Sequence, residues 1–260
     1  MLFLLRQIRR KLLTDSRVST YLLYAIGEIF LVVIGILIAV NIDNWNADRQ
    51  QKLIQTKYLQ NLKNDLEADI DNLDSTIQFA KRKILASRNI RERSNKDSVG
   101  SLYDFSATMY QLIFVTGFIP NQSTLEEMMS TGNFSNLKND SLKLKLIGLN
   151  RTYELIEAGQ EHIRNDYDVF LEIFEHYVDW GDYYDLNKTQ KIAEMVYDSA
   201  RINGHQEEFT QNVRQLLNDK VFMNNIFLID VNYSYFLPVY ASSKKEIRKI
   251  IKLIDQEISN

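Results

Sequence analysis

A single carboxylate stands inside a long apolar run near the start of the chain. The run extends over residues 21–40, and Glu28 is its only charged side chain. Such a run, if helical, is about 30 Å long, which matches the hydrocarbon core of a bilayer. A carboxylate at that depth costs a few kcal/mol or more unless it is protonated, paired or turned toward another helix. The run therefore predicts a membrane-spanning helix with a polar group near its middle.

Small residues lie on the same side of this helix as the carboxylate. Tyr24, Glu28, Gly35 and Ala39 fall within about 40° of one direction around the helix axis. Gly35 and Ala39 are spaced so that a second helix can approach closely. We expect this face to contact another membrane helix, from a second copy or from another membrane protein. A plain anchor with protonated Glu28 is the alternative, and a proton or ion pathway through Glu28 is a third.

An acidic and aromatic segment in the second half of the chain is a candidate binding loop. Exposed aromatic rings among carboxylates can bind a cation, a sugar or a protein surface. A loop lying on its own helical bundle would have the same composition, so both interpretations stay open. The segment contains Asp179, Trp180, Asp182, Tyr183, Tyr184 and Asp185.

The sequence offers little for catalysis or metal binding. Its three histidines, His162, His176 and His205, belong to no zinc or di-iron motif. Cysteine is absent, which excludes thiol chemistry, and the sequence has no phosphate-binding loop and no Gly-x-Ser-x-Gly elbow. A serine nucleophile is still compatible with the sequence, because triad partners can be far apart along a chain. We expect no enzyme activity and no cofactor, with an envelope hydrolase as a remote alternative.

Charge is distributed unevenly along the chain. The 260 residues carry a net charge of −3, and because residues 1–20 carry +4, the remainder carries −7. Positive flanks of membrane helices stay in the cytoplasm, which predicts a cytoplasmic N-terminus. The remainder has no basic cluster of the kind that binds nucleic acid, so nucleic acid is not an expected partner. The charged residues of the leader are Arg6, Arg9, Arg10, Lys11, Asp15 and Arg17.

These patterns divide the sequence into three parts. Residues 1–20 form a basic, amphipathic cytoplasmic segment, residues 21–42 form the transmembrane helix, and residues 43–260 form an extracytoplasmic all-α domain. A cleaved signal peptide is the alternative for the first two parts. Its apolar region would normally have about 7–15 residues and end at a small-residue cleavage site, but here NIDNWN follows a longer run.

Apolar spacing predicts a helical bundle after the membrane segment. No glycine or proline occurs between Gly35 and Gly100, so the membrane helix can continue directly into the next one, and residues 41–46 are the place where a bend is most expected. A heptad-like stripe follows, which can pair between copies as a coiled coil or pack within the chain. We favour the intramolecular bundle, because several further helices need a partner. The stripe consists of Leu59, Leu62, Leu66, Ile70, Leu73, Ile77, Ala80 and Ile84.

Further helices are predicted over 102–115, 123–129, 140–178, 188–201, 206–218 and 219–258. Ser123 and Glu126 form a predicted capping box, Gly132 ends that helix, and Asp140 or Ser141 caps the next. In the last segment Pro238 predicts a kink or break. Its apolar part, residues 221–240, is interrupted by Asn and Asp, which favours a buried core helix over a second membrane crossing. Its end carries a stripe that is a natural partner for residues 59–84, formed by Ile247, Ile250, Ile251, Ile254 and Ile258.

The amino-acid sequence of the apolar run and its flanks resembles that of a family of bacterial single-pass membrane proteins known only as a domain of unknown function. The resemblance rests on FLLRQIRRKLL (3–13), YLLYAIGEIFLVVIGILIAVNIDNWN (21–46) and KYLQNLKNDL (57–66), and more loosely on MMSTGNFSNLKNDSLKLKL (128–146). It implies a bacterial envelope protein. Combined with the orientation predicted from charge, this places the protein in the inner membrane with its C-terminal domain in the periplasm, as an expectation. It carries no activity, ligand or catalytic residue.

The function predicted from the sequence is membrane-anchored interaction or scaffolding. The expected partners are the lipid bilayer and either a second copy or another membrane protein. A second interpretation is an extracytoplasmic ligand sensor. Because only about 20 residues would lie in the cytoplasm, too few for an output domain, such a sensor would act through a partner protein.

Overall fold

The computed structural model describes residues 16–96, 98–178 and 206–259. These ranges contain six α-helices and no strand, which confirms the all-α prediction for the described part of the chain. The helices are α1 (Ser16–Asn95), α2 (Leu102–Ile113), α3 (Ser123–Ser130), α4 (Asp140–Tyr177), α5 (Gln206–Asn218) and α6 (Lys220–Ser259).

The chain divides into two compact units, Met1–Lys57 and Tyr58–Asn260. In the first unit the described residues are helical, and the side chains from residue 20 to residue 50 are all exposed. The helix is unbroken across 41–46, where the sequence predicts a bend. Asn41 donates its side-chain amide to the Leu37 carbonyl at 2.8 Å, so this polar residue is satisfied within the helix. The predicted membrane boundary at residue 42 stays a prediction.

In the second unit, which we call the body, the stripe of α1 is buried. Leu59, Leu62, Leu66 and Leu73 are at most 3% exposed. The chain itself covers these side chains, so the intramolecular interpretation of the stripe is confirmed. A coiled coil between copies through the same side chains would require the body to open.

Helices α1 and α6 pack antiparallel in the body. Lys63 pairs with Asp255 at 2.7 Å, Lys244 pairs with Asp74, and Arg88 pairs with Asp230 at 3.0 Å. As the residue number increases along α1 from one pair to the next, the residue number of the partner on α6 decreases by the same amount. The predicted partnership between the two stripes is therefore confirmed, with Ile247, Ile250 and Ile254 fully buried.

Helix α6 continues through Pro238, so of the predicted kink or break the break does not occur. A proline costs a helix one hydrogen bond and causes a steric clash with the preceding turn. Phe236 and Tyr240 lie on either side of it and are 7% and 1% exposed. Their burial offsets the cost and keeps the segment helical. Residues 221–240 form a core helix, as predicted, with Phe222 and Ile226 fully buried.

Two predicted helix caps are wrong, because the actual capping groups lie elsewhere. At the start of α3, the hydroxyl of Ser123 donates to the side chain of Asn121. The backbone N–H of Thr124 donates to the carboxylate of Asp65 on α1 at 3.2 Å. Helix α4 is capped by Asn139, whose side chain accepts from Leu142 N–H at 3.0 Å.

Other predicted helix ends are confirmed or lie outside the described residues. Gly132 follows α3 with φ of 75°, the left-handed conformation that ends helices and that glycine adopts without strain. Helix α6 begins at Lys220, and the side chain of the preceding residue, Asp219, accepts the N–H groups of Val221 and Phe222. The predicted helix over 188–201 lies outside the described residues.

Candidate functional site

The predicted association face lies on the exposed helix of the first unit. Tyr24 is 80% exposed, and Glu28, Gly35 and Ala39 are exposed as well. A methyl group built on Gly35 would meet no atom within 4 Å. None of the residues that the structure describes covers the surface at Gly35, and a second helix could contact it closely.

The apolar residues around this face are equally uncovered. Among the described residues, one helix is long and apolar enough to cross a membrane, and its apolar window is completely unburied. Leu31 and Phe30, for example, are 70% and 65% exposed. Leaving so much apolar surface in water is strongly unfavourable, which makes this helix a candidate for contact with lipid or with another apolar helix.

The second predicted site, Asp179, Trp180, Asp182, Tyr183, Tyr184 and Asp185, lies outside the described residues. Two of the three histidines are described, and His162 and His176 are exposed on α4, which agrees with the expected polar surface. No cluster of three metal-ligating side chains occurs in the described part of the chain.

The body contains a row of buried polar residues that the sequence reasoning missed. Asp69, Thr76 and Lys83 follow one another at intervals of seven along α1 and are 1%, 5% and 1% exposed. Ile90 continues the row and is fully buried. The signal was present in the heptad spacing, which places these residues beside the leucine stripe. An apolar pattern does not reveal this row, because Asp, Thr and Lys side chains are mostly exposed in proteins.

Lys83 is the most unusual member of this row. Its ammonium nitrogen donates to the carbonyl of Leu112 at 2.6 Å, in the last turn of α2, where a helix presents partial negative charge. The nitrogen also lies 5.4 Å and 5.7 Å from the ring centres of Phe79 and Tyr167. No carboxylate in the described ranges pairs with it. Burial lowers the pKa of Lys83 to about 7.

An amine with such a pKa can act as a base or a nucleophile where a substrate reaches it. The amine of Lys83 is enclosed by α1, α2 and α4, and no substrate could reach it without opening the body. The geometry therefore supports a structural role. The charged amine is unfavourable in the core, and the Leu112 carbonyl together with the two rings partly compensates.

Asp69 has a more complete set of partners. Its two carboxylate oxygens accept from the backbone N–H of Asn121 at 2.8 Å and from the hydroxyl of Tyr153 at 2.7 Å. Burial raises the pKa of Asp69, and these two hydrogen bonds oppose that shift. Burial likewise raises the pKa of Tyr153, and the neighbouring carboxylate adds to the effect. The pair joins α1 to α4 through the interior.

The same region holds the segment between α2 and α3 in place. Gln160 of α4 accepts from the N–H of Phe118 at 2.5 Å and donates to its carbonyl at 3.0 Å. Asn72 of α1 donates to the carbonyl of Ile119 at 2.8 Å. The segment is thus tied to both helices, while the side chain of Ile119 is 79% exposed.

The comparisons with known proteins place the chain in one family. A family model described as "Family of unknown function (DUF6090)" matches residues 28–172, which is more than half of the chain. The chain belongs to this family. The match includes most of the apolar run, the polar row of α1 and the segment held by Gln160. No curated protein and no solved structure matches the chain.

Proposed function

We propose that this protein is a membrane-anchored interaction or scaffolding protein of a bacterial envelope. Residues 21–42 cross the inner membrane once, the basic N-terminus lies in the cytoplasm, and the body lies in the periplasm. The role is one of binding rather than catalysis. The observation that carries the proposal is the completely unburied apolar helix of the first unit.

Charge supports the proposed orientation. The leader carries +4 before the apolar run, whereas the flank after it mixes Asp43 and Asp48 with Arg49 and Lys52. Basic residues are retained on the cytoplasmic side during insertion. The body is the larger part of the chain and would therefore be the part available to partners outside the cytoplasm.

Within the membrane, we propose that the face formed by Tyr24, Glu28, Gly35 and Ala39 contacts a second membrane helix. The exposed surface at Gly35 allows close approach. A contact on this face would also remove Glu28 from lipid, where its carboxylate is most costly. The occupant is a second copy or another membrane protein.

Location and orientation can be tested together, because the chain has no cysteine and each introduced one is unique. We expect the full chain to remain in the membrane fraction after alkaline washing. A cysteine at residue 7 should resist a membrane-impermeant maleimide in intact spheroplasts, whereas Ser75→Cys should react. A chain found in the supernatant would contradict the anchor, and reversed labelling would contradict the orientation.

Crosslinking tests the association face. Cysteines at Gly35 and Ala39 should crosslink to a neighbouring helix in native membranes, whereas Val33→Cys and Leu37→Cys, on the opposite side of the helix, should not. The partner's mass distinguishes a second copy from another protein. Equal crosslinking from both sides of the helix would contradict the proposed face.

A further inference from the structure

The body has its own uncovered apolar surface, separate from the membrane helix. On α6, Val221, Leu228, Val231 and Tyr235 are 55%, 40%, 43% and 59% exposed. They lie within about 80° of one another around the helix and extend about 21 Å along it. The opposite side of the same helix is the core side described above. Helix α6 is therefore apolar on two sides, and within the described ranges only one of them is buried.

Helix α4 extends this surface. Asn232 donates to Asp166 at 2.9 Å, and Gly159 lies so close to the ring of Phe236 that a methyl group there would clash. These contacts place the exposed side chains of Leu155 and Val169, at 51% and 45%, next to the α6 row. Single exposed apolar residues are ordinary, but several on the same side of two neighbouring helices are typical of an interface. Two exposed polar residues, Asn224 on α6 and His162 on α4, lie among them. We call this surface the α4–α6 face; it consists of Leu155, Val169, Val221, Leu228, Val231 and Tyr235.

The two edges of the α4–α6 face carry opposite charge. On the α1 side, Arg88 and Arg91 are 59% and 41% exposed in their side chains and both approach Asp230. The α4 side carries Asp166, which is 25% exposed in its side chain. Asp166 accepts a hydrogen bond from Asn232 and lies 3.7 Å from Nε2 of the exposed His162. Because Asp230 and Asn232 are two residues apart on α6, the arginines and Asp166 lie at the same level of the face.

We propose that the α4–α6 face binds a second copy of this chain, with the two α6 helices parallel. A two-fold axis that runs along α6 brings the arginine edge of one copy opposite the Asp166 edge of the other at the same level. An antiparallel pair would instead place arginines opposite arginines. Charge complementarity thus selects both the occupant and its direction, while the apolar row supplies the buried area.

Cysteine crosslinking of the full chain in phosphatidylethanolamine–phosphatidylglycerol vesicles tests the arrangement. In a parallel pair each residue of the row lies near its own counterpart. Leu228→Cys, Val231→Cys and Tyr235→Cys should each form dimers at least several-fold faster than Leu85→Cys and Ile119→Cys, which are exposed apolar positions outside the face. Dimers at only one position of the row would indicate an antiparallel pair. Equal rates of dimer formation at the three row positions and the two control positions would show that the α4–α6 face is not an interface. Either result overturns the proposal.

Charge reversal provides the second measurement. In the Leu228→Cys chain, Asp166→Lys should slow dimer formation several-fold, and adding Arg91→Glu should restore most of the rate. Asp166→Asn, which can still bond Asn232, is the matched control for local structure. Failure of the double reversal to restore crosslinking, with circular dichroism showing an intact helical body, would overturn the charge-selected arrangement.

This proposal does not depend on the membrane helix. Crosslinking of Leu228→Cys should persist when Gly35 and Ala39 are both replaced by Ile, which removes the small-residue surface of the first unit. Loss of the dimer in that background would show that the membrane helix alone holds the copies together and would overturn the α4–α6 interface. A chain that fails to enter the vesicles can be crosslinked in solution, so a failed anchor and a failed dimer give different results.

Discussion

The same residue types behave in opposite ways in the two units of this protein. In the body, the Leu, Ile and Phe side chains of the core are buried and only some others are exposed, whereas in the first unit these residue types are exposed on every side of the helix. The difference arises from spacing. Apolar residues every three or four positions leave a polar side for solvent, so the helix can be covered by its own chain. An uninterrupted apolar run has no such side, and it requires an apolar environment outside the chain.

Replacing one phenylalanine by alanine in each unit should show the largest difference between the units in its effect on the free energy of unfolding. Phe222 is fully buried and its ring lies 5.8 Å from that of Phe170, so Phe222→Ala should lower the free energy of unfolding of the body by about 3–5 kcal/mol. Phe30 is 65% exposed, so Phe30→Ala should leave that free energy unchanged. Urea unfolding of the full chain in detergent, followed by circular dichroism, measures both. Similar losses of unfolding free energy from the two substitutions would contradict the proposed difference between the two units.

Charged groups sharpen the comparison, because the body buries a lysine whereas Glu28 lies exposed on the first unit. The pKa of Lys83 falls from 10.5 to about 7 on folding, which makes the protonated amine cost on the order of 5 kcal/mol. Between pH 7 and 10.5 the unfolded chain binds more protons than the folded chain. The free energy of unfolding should therefore rise with pH across this window, by up to about 1.4 kcal/mol per pH unit. Below pH 7 Lys83 is protonated in both states, so its contribution should not change with pH.

Lys83→Met tests this account directly. At pH 6 the substitution should raise the free energy of unfolding by on the order of 2 kcal/mol, because the gain from removing a buried charge exceeds the cost of leaving the Leu112 carbonyl without its donor. Unfolding curves at pH 6, 7, 8 and 9 should show that the rise seen for the unaltered chain is largely lost in the variant. An unchanged slope would mean that another group causes it.

Asp69 should give a smaller effect, because its partners can be partly replaced. Asp69→Ala leaves the Asn121 N–H and the Tyr153 hydroxyl without an acceptor, which should cost about 1–3 kcal/mol. Asp69→Asn keeps an oxygen for Asn121 and should cost less. The same urea experiment ranks the two variants. If Asn were as damaging as Ala, the charge of Asp69 rather than its hydrogen bonds would be the stabilising feature.

Local spacing predicted most of the fold, and long-range contacts account for what it missed. The leucine stripe of α1, its pairing with the Ile247 stripe and the core assignment of residues 221–240 could all be read from periodicity. The cap of α3 could not, because Asp65 reaches it from another helix. The continuity of α6 through Pro238 depends in the same way on the burial of Phe236 and Tyr240, which a single helix does not reveal.

The candidate sites show the same limit. The face of Tyr24, Glu28, Gly35 and Ala39 was predicted from helix geometry alone, because an isolated helix needs no tertiary information to place its side chains. The α4–α6 face was not found, because its two halves are far apart in sequence and only their packing joins them. Lys83 was missed for a related reason. A lysine is normally solvated, and only the heptad interval linking it to Asp69 and Ile90 indicates a buried position.

The row of Asp69, Thr76 and Lys83 fixes α1 lengthwise within the body. A leucine stripe alone would allow the helix to shift by one repeat and pack nearly as well, since each leucine would meet an equivalent neighbour. With the row present, a shift of seven residues would withdraw the carboxylate from Tyr153 and move the amine away from Leu112. We therefore expect a force along α1 to be transmitted to α2 and α4 through these two hydrogen bonds, so that the three helices would resist sliding together.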